Sequence, residues 1–193
     1  MAQTDYTPVK DTSQFKQNLK KMSEKTKTID CEFVQEKSLE MLTNKVISKG
    51  HFYFKKPKIR WEYNDPYNYL IIFANNKVFI KDDGGKKQYD TQSDKVFKEL
   101  GMMMLSFIQG NITSSGDSYY TTYLENQQNY YLKLIPKDAK VKEMLSQVDL
   151  YLDKTDLSIA KIKMLEPNGD YTSIEFINKK INQDIDNSLF NNK

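Results

Sequence analysis

Alternation of apolar and charged residues between 51 and 63 is the feature of this sequence that most limits its possible folds. The stretch reads HFYFKKPKIRWEY and contains the only tryptophan of the chain. On a β-strand successive side chains point to opposite faces, so Ile59, Trp61 and Tyr63 share one face and the charged residues between them share the other. Pro57 suits a turn, because proline fixes φ and donates no backbone hydrogen bond. The stretch predicts a hairpin with one apolar face.

Interleaved aromatic and basic residues also occur on surfaces that bind nucleic acids, and KGHFYFKK at 49–56 faintly resembles an RNA-recognition signature. A base-stacking platform needs cations beside its rings. Here the alternation separates Phe52, Phe54 and Trp61 from the charged side chains, and the net charge is only +3. The RNA-recognition module also alternates helices with strands, whereas this chain is rich in strand patterns. The sequence therefore predicts no nucleic-acid partner.

The same period of two recurs along most of the chain. Short apolar runs alternate with turn sequences such as NN, DDGG and EPNGD. Regularly spaced short strands separated by turn residues are typical of antiparallel sheets and barrels. The predicted strands lie at 28–36, 46–54, 59–63, 69–74, 77–81, 117–126, 128–136, 148–153, 157–165 and 171–177.

The first helix is predicted at 12–26, where the apolar residues follow a helical period. Phe15 and Leu19 lie four residues apart and begin one narrow apolar stripe. Asp11 is the predicted N-cap, and Gln14 is placed to complete a capping box.

A second helix with a wide apolar surface is predicted at 93–111, with Ser93 as N-cap and Gly110 as its stop. Its apolar residues cover more than one face, so it must be largely buried, most naturally across the apolar face of a curved sheet. Periodicity leaves open whether its methionines fill a core or line a ligand site. A third, shorter helix is predicted at 138–146.

Composition limits the chemistry that the chain can perform. Its 193 residues, 38% of them hydrophobic, suit a single domain with a sizeable core. One histidine, His51, and one cysteine, Cys31, leave no internal disulfide and argue against zinc sites and catalytic triads. His51 is interpreted as a surface strand residue and Cys31 as a small hydrophobe. The sequence therefore predicts no enzyme, no catalytic residue, no metal and no cofactor.

The N-terminal sequence MAQTDYTPVKD lacks the basic and apolar regions of a signal peptide, and no apolar run in the chain is long enough to span a membrane. The residues AQ after Met1 resemble the start of a chain left by signal peptidase. Two interpretations stay open, a signal peptide that has been removed or a cytosolic protein with an ordinary polar start. On the first interpretation, residues 1–10 form a flexible N-terminus of a single domain at 1–193.

Several blocks of the sequence resemble, in order, the LolA family of periplasmic outer-membrane lipoprotein carriers. The most specific block is KGHFYFKKPKIRWEY at 49–63, and LKLIPK at 132–137 supports it. The remaining blocks add to the resemblance mainly by their order, and they are CEFVQEKSL, LIIFANNKVFIKD, the methionine-rich helix, VDLYLD, EPNGDYTSIEF and NQDIDNSLF.

The resemblance implies a mainly β fold, an incomplete, half-open antiparallel β-barrel with helices covering its concave apolar face. It also implies a monomeric periplasmic carrier that makes and breaks no bonds. Lipoprotein acyl chains released by an inner-membrane ABC-type transporter would enter the apolar cavity and pass later to an outer-membrane acceptor. Burying a CH₂ group gains ~0.8 kcal/mol, so a fully sheltered chain of about sixteen carbons would gain on the order of 12 kcal/mol.

The resemblance further assigns roles to individual residues. In the best-known members an arginine directly before the turn proline holds the lid closed, and the matching residue here is Lys56, which lacks the planar guanidinium. A cavity aromatic two positions before the tryptophan is replaced by Ile59. The acyl-chain cavity is predicted to be lined by Phe33, Phe52, Phe54, Ile59, Trp61, Tyr63, Val78, Ile80, Leu132 and Leu134. The lid helix is predicted to contribute Phe97, Leu100, Met103, Met104 and Phe107.

Two alternatives to a lipoprotein carrier stay open at the level of sequence. One is a LolA-like binder of another lipid or hydrophobic ligand. The other is a non-catalytic structural or sensing half-barrel with a filled core. Periodicity cannot separate them, because an apolar strand face looks the same whether it packs against a core or borders a cavity.

Overall fold

The computed structural model describes residues 5–40, 44–75, 77–82, 84–90 and 118–191. Within these residues the helices are α1 (Thr12–Lys25), α2 (Ala139–Met144) and a 3-10 helix at Asn187–Phe190. The strands of the described residues are β1 (Thr7–Pro8), β2 (Thr28–Ser38), β3 (Val46–Lys55), β4 (Lys58–Asp65), β5 (Tyr69–Ala74), β6 (Lys77–Asp82), β7 (Gly85–Asp90), β8 (Tyr119–Glu125), β9 (Asn129–Pro136), β10 (Gln147–Asp153), β11 (Ile159–Leu165) and β12 (Tyr171–Ile181).

The twelve described strands form one sheet in the order β1-β8-β9-β10-β11-β12-β2-β3-β4-β5-β6-β7. Every strand pair whose register is described is antiparallel. The order begins with β1 and ends with β7, so the sheet is not closed on itself. The predicted fold class, a mainly β protein with an incomplete antiparallel barrel, is confirmed. The helix predicted at 93–111 lies outside the described residues.

The chain divides into two compact units, each assembled from segments that are distant in sequence. Unit 1 contains residues 1–24, 35–46 and 108–175, and unit 2 contains residues 25–34, 47–107 and 176–193. In unit 1, β1 (Thr7–Pro8) pairs with β8. This strand belongs to the N-terminal segment 1–10 that was predicted to be flexible. The single domain and the flexible N-terminus stay predictions. None of the helices among the described residues is long and apolar enough to cross a membrane.

Unit 1 has one strongly aliphatic sheet face. Leu134 and Leu132 of β9 lie opposite Val148 and Leu150 of β10, and none of these four side chains is exposed. This leucine face, defined by these four residues, follows from the alternation predicted for 128–136 and 148–153. Burying each such side chain contributes about 1.5–3 kcal/mol to the folded state.

Helix α1 packs within unit 1 through its predicted apolar stripe. The ring of Phe15 contacts the rings of Tyr130 and Tyr123, with centroid distances of 4.5 and 6.0 Å. Tyr123 lies opposite Leu132 in the register of β8 and β9. Tyr130 lies two residues before Leu132 on β9, so its side chain is on the same face. The helix therefore covers part of that face.

The N-terminus of α1 is capped as predicted. Asp11 Oδ1 accepts a hydrogen bond from the backbone N–H of Gln14 at 2.8 Å. The side-chain amide of Gln14 donates to Asn18 at 2.9 Å. The Gln14 side chain thus points along the helix toward Asn18, and Asp11 supplies its half of the predicted capping box.

Asp11→Ala is expected to lower the free energy of unfolding by about 1 kcal/mol, because the N–H of Gln14 loses its acceptor. Urea denaturation measures the loss. The exposed Ser13→Ala, one residue inside the same helix, is the matched control and should change stability by less than about 0.5 kcal/mol. Equal effects of the two substitutions would contradict the capping role of Asp11.

In unit 2 the C-terminal segment 182–191 packs on one face of β4 and β5. Ile185 and Phe190 form a buried cluster with Ile72 and Ala74 of β5. Arg60 of β4 donates from Nη1 to the carbonyl oxygen of Leu189 at 2.9 Å, which fixes the 3-10 helix to the sheet. Arg60 therefore lies on the charged face, as the alternation predicts, and holds the C-terminal segment there.

Candidate functional site

The candidate site is the sheet face of unit 2 that carries aromatic residues. Across β3 and β4 the register places Phe52 opposite Trp61 and Phe54 opposite Ile59. The rows continue into β5, where Ile71 lies opposite Trp61. Neighbouring strands are about 4.8 Å apart, so these rows form a continuous apolar surface. We call it the aromatic face, and its residues are Phe33, Phe52, Phe54, Ile59, Trp61, Tyr63, Ile71, Phe73, Val78, Ile80 and Phe176.

Trp61 is the centre of this face. Its ring centroid lies 4.6 Å from Phe33, 5.4 Å from Phe52 and 6.0 Å from Phe176. The last two contacts are edge-to-face, a geometry that aromatic quadrupoles favour. Trp61 itself is 6% exposed.

Gly50 of β3 allows this aromatic packing. A Cβ atom at position 50 would lie 2.6 Å from Cζ of Phe33 and 1.9 Å from the carbonyl oxygen of Glu62. Both distances are far shorter than van der Waals contact. Only a glycine therefore lets the Phe33 ring and β4 approach β3 this closely.

The aromatic face has two polar side-chain groups, the hydroxyl of the half-buried Tyr63 and the indole N–H of Trp61. Burial raises the pKa of the Tyr63 hydroxyl to about 12, so it stays protonated at neutral pH. The indole N–H of Trp61 is buried and has no hydrogen-bond acceptor among the described residues. The nearby indole N–H of Trp61 lowers the pKa of Tyr63 and so offsets a smaller part of that rise. The indole N–H and the Tyr63 hydroxyl nevertheless do not meet the distance and angle limits of a hydrogen bond. This surface is suited to an apolar ligand.

The structure brings most of the predicted cavity residues together. Eight of the ten lie on the aromatic face, and Leu132 and Leu134 lie on the leucine face of unit 1. The five predicted lid residues at 97–107 lie outside the described residues. Lining an acyl-chain cavity stays a prediction for all ten.

Sequence reasoning did not assign Ile71, Phe73 and Phe176 to the site. The run YLIIFA at 69–74 is apolar throughout, so alternation cannot tell which of its residues face Trp61. The pairing of β4 with β5 decides this, since it places Ile71 opposite Trp61. For Phe176, the ring contacts with Phe52 and Trp61 are the deciding observation.

A sequence model of a known protein family matches most of the chain. The model described as "Outer membrane lipoprotein carrier protein LolA" matches residues 24–193. The chain belongs to the LolA family. The predicted resemblance is thereby confirmed. No curated protein matches the sequence of this LolA-family chain.

Three solved structures are similar to this LolA-family protein in fold. A chain of the Pseudomonas aeruginosa MucA/MucB complex has a TM-score of 0.57 at 12% identity, covering 93% of this chain and 60% of that one. An uncharacterised conserved protein from Thermus thermophilus has a TM-score of 0.52 at 8% identity, covering 93% of each chain. The Mycobacterium tuberculosis lipoprotein LppX has a TM-score of 0.50 at 8% identity, covering 89% of this chain and 96% of that one. This chain thus spans about 60% of the MucA/MucB-complex chain.

The residue predicted to hold the lid is exposed. Lys56 precedes Pro57 in the turn between β3 and β4, and the peptide bond between them is cis. The backbone N–H of Lys56 donates a hydrogen bond to the carbonyl oxygen of Lys27 at 3.1 Å. The role of Lys56 in gating stays a prediction.

The single histidine and the single cysteine lie on opposite faces of β2 and β3. His51 is half-buried, with Nε2 2.5 Å from Asp30 Oδ1 and its ring stacked on Tyr53. Cys31 is buried, and burial raises the pKa of its thiol to about 12. The thiol is therefore protonated and unreactive at neutral pH. Among the described residues no group of three or more His, Cys, Asp or Glu residues could hold a metal ion.

A polar cleft of about 600 Å³ lies on unit 1, and none of the residues predicted to bind an acyl chain lines it. Lys154 bonds Glu125 at 2.6 Å, and the backbone N–H of Lys10 donates to the same carboxylate at 3.2 Å. The charged and amide groups that line the cleft do not suit a hydrocarbon chain. The cleft is lined by Asp5, Thr7, Lys10, Glu125, Asn126, Gln127, Gln128 and Lys154.

Glu125→Gln is expected to remove a stabilisation that depends on pH. The hydrogen bond from Lys154 lowers the pKa of Glu125 below its ordinary value. A carboxyl group with a lowered pKa stabilises the fold above its unfolded pKa of about 4.3, and this effect is lost as pH falls through the folded pKa. Wild type should therefore be the more stable protein at neutral pH, and the difference should shrink below about pH 5. Thermal melts across pH measure it. The exposed Glu143→Gln is the control, and a difference that does not vary with pH would contradict the assignment.

Proposed function

We propose that this LolA-family protein is a periplasmic carrier that binds lipoprotein acyl chains on its aromatic face and shuttles lipoproteins from the inner to the outer membrane. The observation that supports this most is the continuous apolar face around Trp61, in a chain whose family is described by lipoprotein carriage. The residues of that face carry no charge. An acyl chain, which offers only apolar contacts along its length, is the ligand that such a surface fits.

The energetics of acyl chains support a carrier. A chain of about sixteen carbons gains on the order of 12 kcal/mol on leaving water, so it does not diffuse freely through an aqueous compartment. The same gain would hold it too firmly in a perfect pocket. A carrier therefore needs an apolar face whose other contacts compete with the cargo, and we assign this competition to the predicted helix at 93–111.

The proposed partners follow from the path of the cargo. An inner-membrane ABC-type transporter would release the lipoprotein to the carrier, and an outer-membrane acceptor would receive it. The carrier acts as a monomer, and no bond is made or broken. Leu132 and Leu134 are proposed as further lining.

Binding of a triacylated lipopeptide tests the proposal. The purified protein is mixed with a tripalmitoyl-cysteinyl peptide and separated by size exclusion, with the same peptide lacking its acyl chains as control. We expect the acylated peptide alone to elute with the protein. Elution of neither peptide with the folded protein would overturn the carrier function. Phospholipid binding in place of the lipopeptide would favour a binder of another lipid, and no lipid binding would favour a filled core.

The lysine at position 56 is proposed to make the closed state looser than an arginine would. An arginine can donate two parallel hydrogen bonds, whereas the lysine ammonium is a mobile point charge for which water competes. Lys56→Arg should therefore slow the release of bound lipopeptide to acceptor vesicles, and Lys56→Leu should change it only mildly. Equal release rates for the three proteins would show that position 56 has no gating role. A large effect of Lys56→Leu would instead make lysine itself the latch.

A further inference from the structure

Among the described residues, the indole N–H of Trp61 is a buried side-chain donor that lacks a hydrogen-bond partner. Trp61 is 6% exposed, so the group lies out of reach of bulk solvent. The great majority of buried polar atoms in folded proteins are hydrogen-bonded, because an unpaired one carries the full cost of its desolvation. An unpaired donor at the centre of a proposed binding face therefore indicates an acceptor that a ligand supplies.

The surroundings of this N–H narrow the class of ligand. Its ring neighbours Phe33, Phe52 and Phe176 offer no acceptor. Tyr63 is the one residue of the aromatic face with a hydroxyl, and its geometry toward Trp61 is not that of a hydrogen bond. The indole is a donor only. The complementary group is thus an acceptor attached directly to an apolar chain.

We propose that Trp61 Nε1–H donates a hydrogen bond to the carbonyl oxygen at the head of a bound acyl chain, and so determines specificity for acyl esters and amides. This inference rests on the proposed function and names the chemical group that the face recognises. The aromatic face carries no lysine or arginine, so a fatty-acid carboxylate would be buried there without a counter-charge. A free hydrocarbon would leave the indole N–H unpaired, and a thioether-linked chain would offer only a weak acceptor. A neutral carbonyl avoids both costs.

The first test compares two ligands that differ in whether they carry this carbonyl. Monolauroylglycerol and its dodecyl thioether analogue, whose sulfur is only a weak acceptor, are titrated against wild type and Trp61→Phe, with displacement of a fluorescent fatty-acyl probe as the readout. We expect wild type to bind the ester about 5- to 10-fold more tightly than the thioether, as one net hydrogen bond provides. We expect this preference to disappear in Trp61→Phe, whatever change the substitution makes to the affinity for both ligands. A preference that persists in Trp61→Phe would overturn the inference.

The second test needs no variant, because Trp61 is the only tryptophan and gives a single indole signal in a ¹⁵N–¹H spectrum. Formation of a hydrogen bond to a carbonyl should move the indole proton downfield with the ester and not with the thioether. Equal shifts with both ligands would overturn the inference while leaving acyl binding intact. Binding of neither ligand to the folded protein would overturn the proposed function and, with it, the inference.

Discussion

Gly50→Ala is expected to destabilise the protein by about 3 kcal/mol or more, at the upper end of the cost of overpacking a core. The added methyl group would lie 1.9 Å from the carbonyl oxygen of Glu62, a backbone atom that a side-chain rotation cannot move. It would also lie 2.6 Å from the ring of Phe33. Strands β3 and β4 would have to separate, and Phe33 would leave its contact with Trp61.

Urea denaturation of Gly50→Ala and Gly84→Ala measures this effect against a matched control. Gly84 is exposed, and a Cβ atom there would meet only Asp82 Oδ1, the end of a side chain, at 3.1 Å. Gly84→Ala should therefore change stability by less than about 0.5 kcal/mol. Similar small losses for both variants would show that β3 can yield, and that the close packing under Phe33 is not required.

Phe190→Ala is expected to lower the free energy of unfolding by about 3–5 kcal/mol, as the deletion of a buried phenylalanine ring does. Phe190 is 3% exposed and packs with Ile72, Ala74 and Ile185. Its loss would leave a cavity beneath the 3-10 helix. Because the cluster lies on the face opposite Trp61, the folded variant should retain its affinity for an acyl probe.

Chemical denaturation and probe titration of Phe190→Ala together test this assignment. Asn187→Ala changes an exposed residue of the same 3-10 helix and should cost less than about 0.5 kcal/mol. A variant Phe190→Ala as stable as Asn187→Ala would contradict a packing role for the C-terminal segment. A folded variant that loses acyl binding would contradict the separation of the two faces.

The hairpin at 51–63 and helix α1 were predictable from sequence because each carries a local signal. Alternation sorts Phe52, Phe54 and Trp61 onto one face, and the structure pairs these residues as that pattern requires. Asp11 precedes a helical stripe and caps it. Such features depend on residues close together in the chain, whose spacing reports directly on strand and helix geometry.

The role of the C-terminal segment could not be derived in the same way. NQDIDNSLF has no period of two and no helical stripe, and only its resemblance to the family distinguishes it in the sequence. Its position depends on the bond from Arg60 to Leu189, two residues separated by 129 positions. Local patterns carry no information about contacts of this range.

The residues of the candidate site likewise divide into those with a local sequence signal and those without one. The sequence alternation identified the aromatic residues of β3 and β4, but the continuously apolar β5 hid Ile71 and Phe73 until the strand register was known. The unpaired N–H of Trp61 depends on where every nearby acceptor lies. Whether a buried donor is paired depends on the whole folded unit, so no single segment of the sequence predicts it.

Trp61 fluorescence during a titration with tripalmitoyl-cysteinyl peptide tests most directly that the aromatic face binds acyl chains. Because Trp61 is the only tryptophan and lies at the centre of that face, its emission reports on the proposed site alone. We predict a saturable change in emission with the acylated peptide and none with the peptide lacking acyl chains. An emission spectrum that stays unchanged across the acylated titration, with circular dichroism showing an intact fold, would contradict acyl binding at this face.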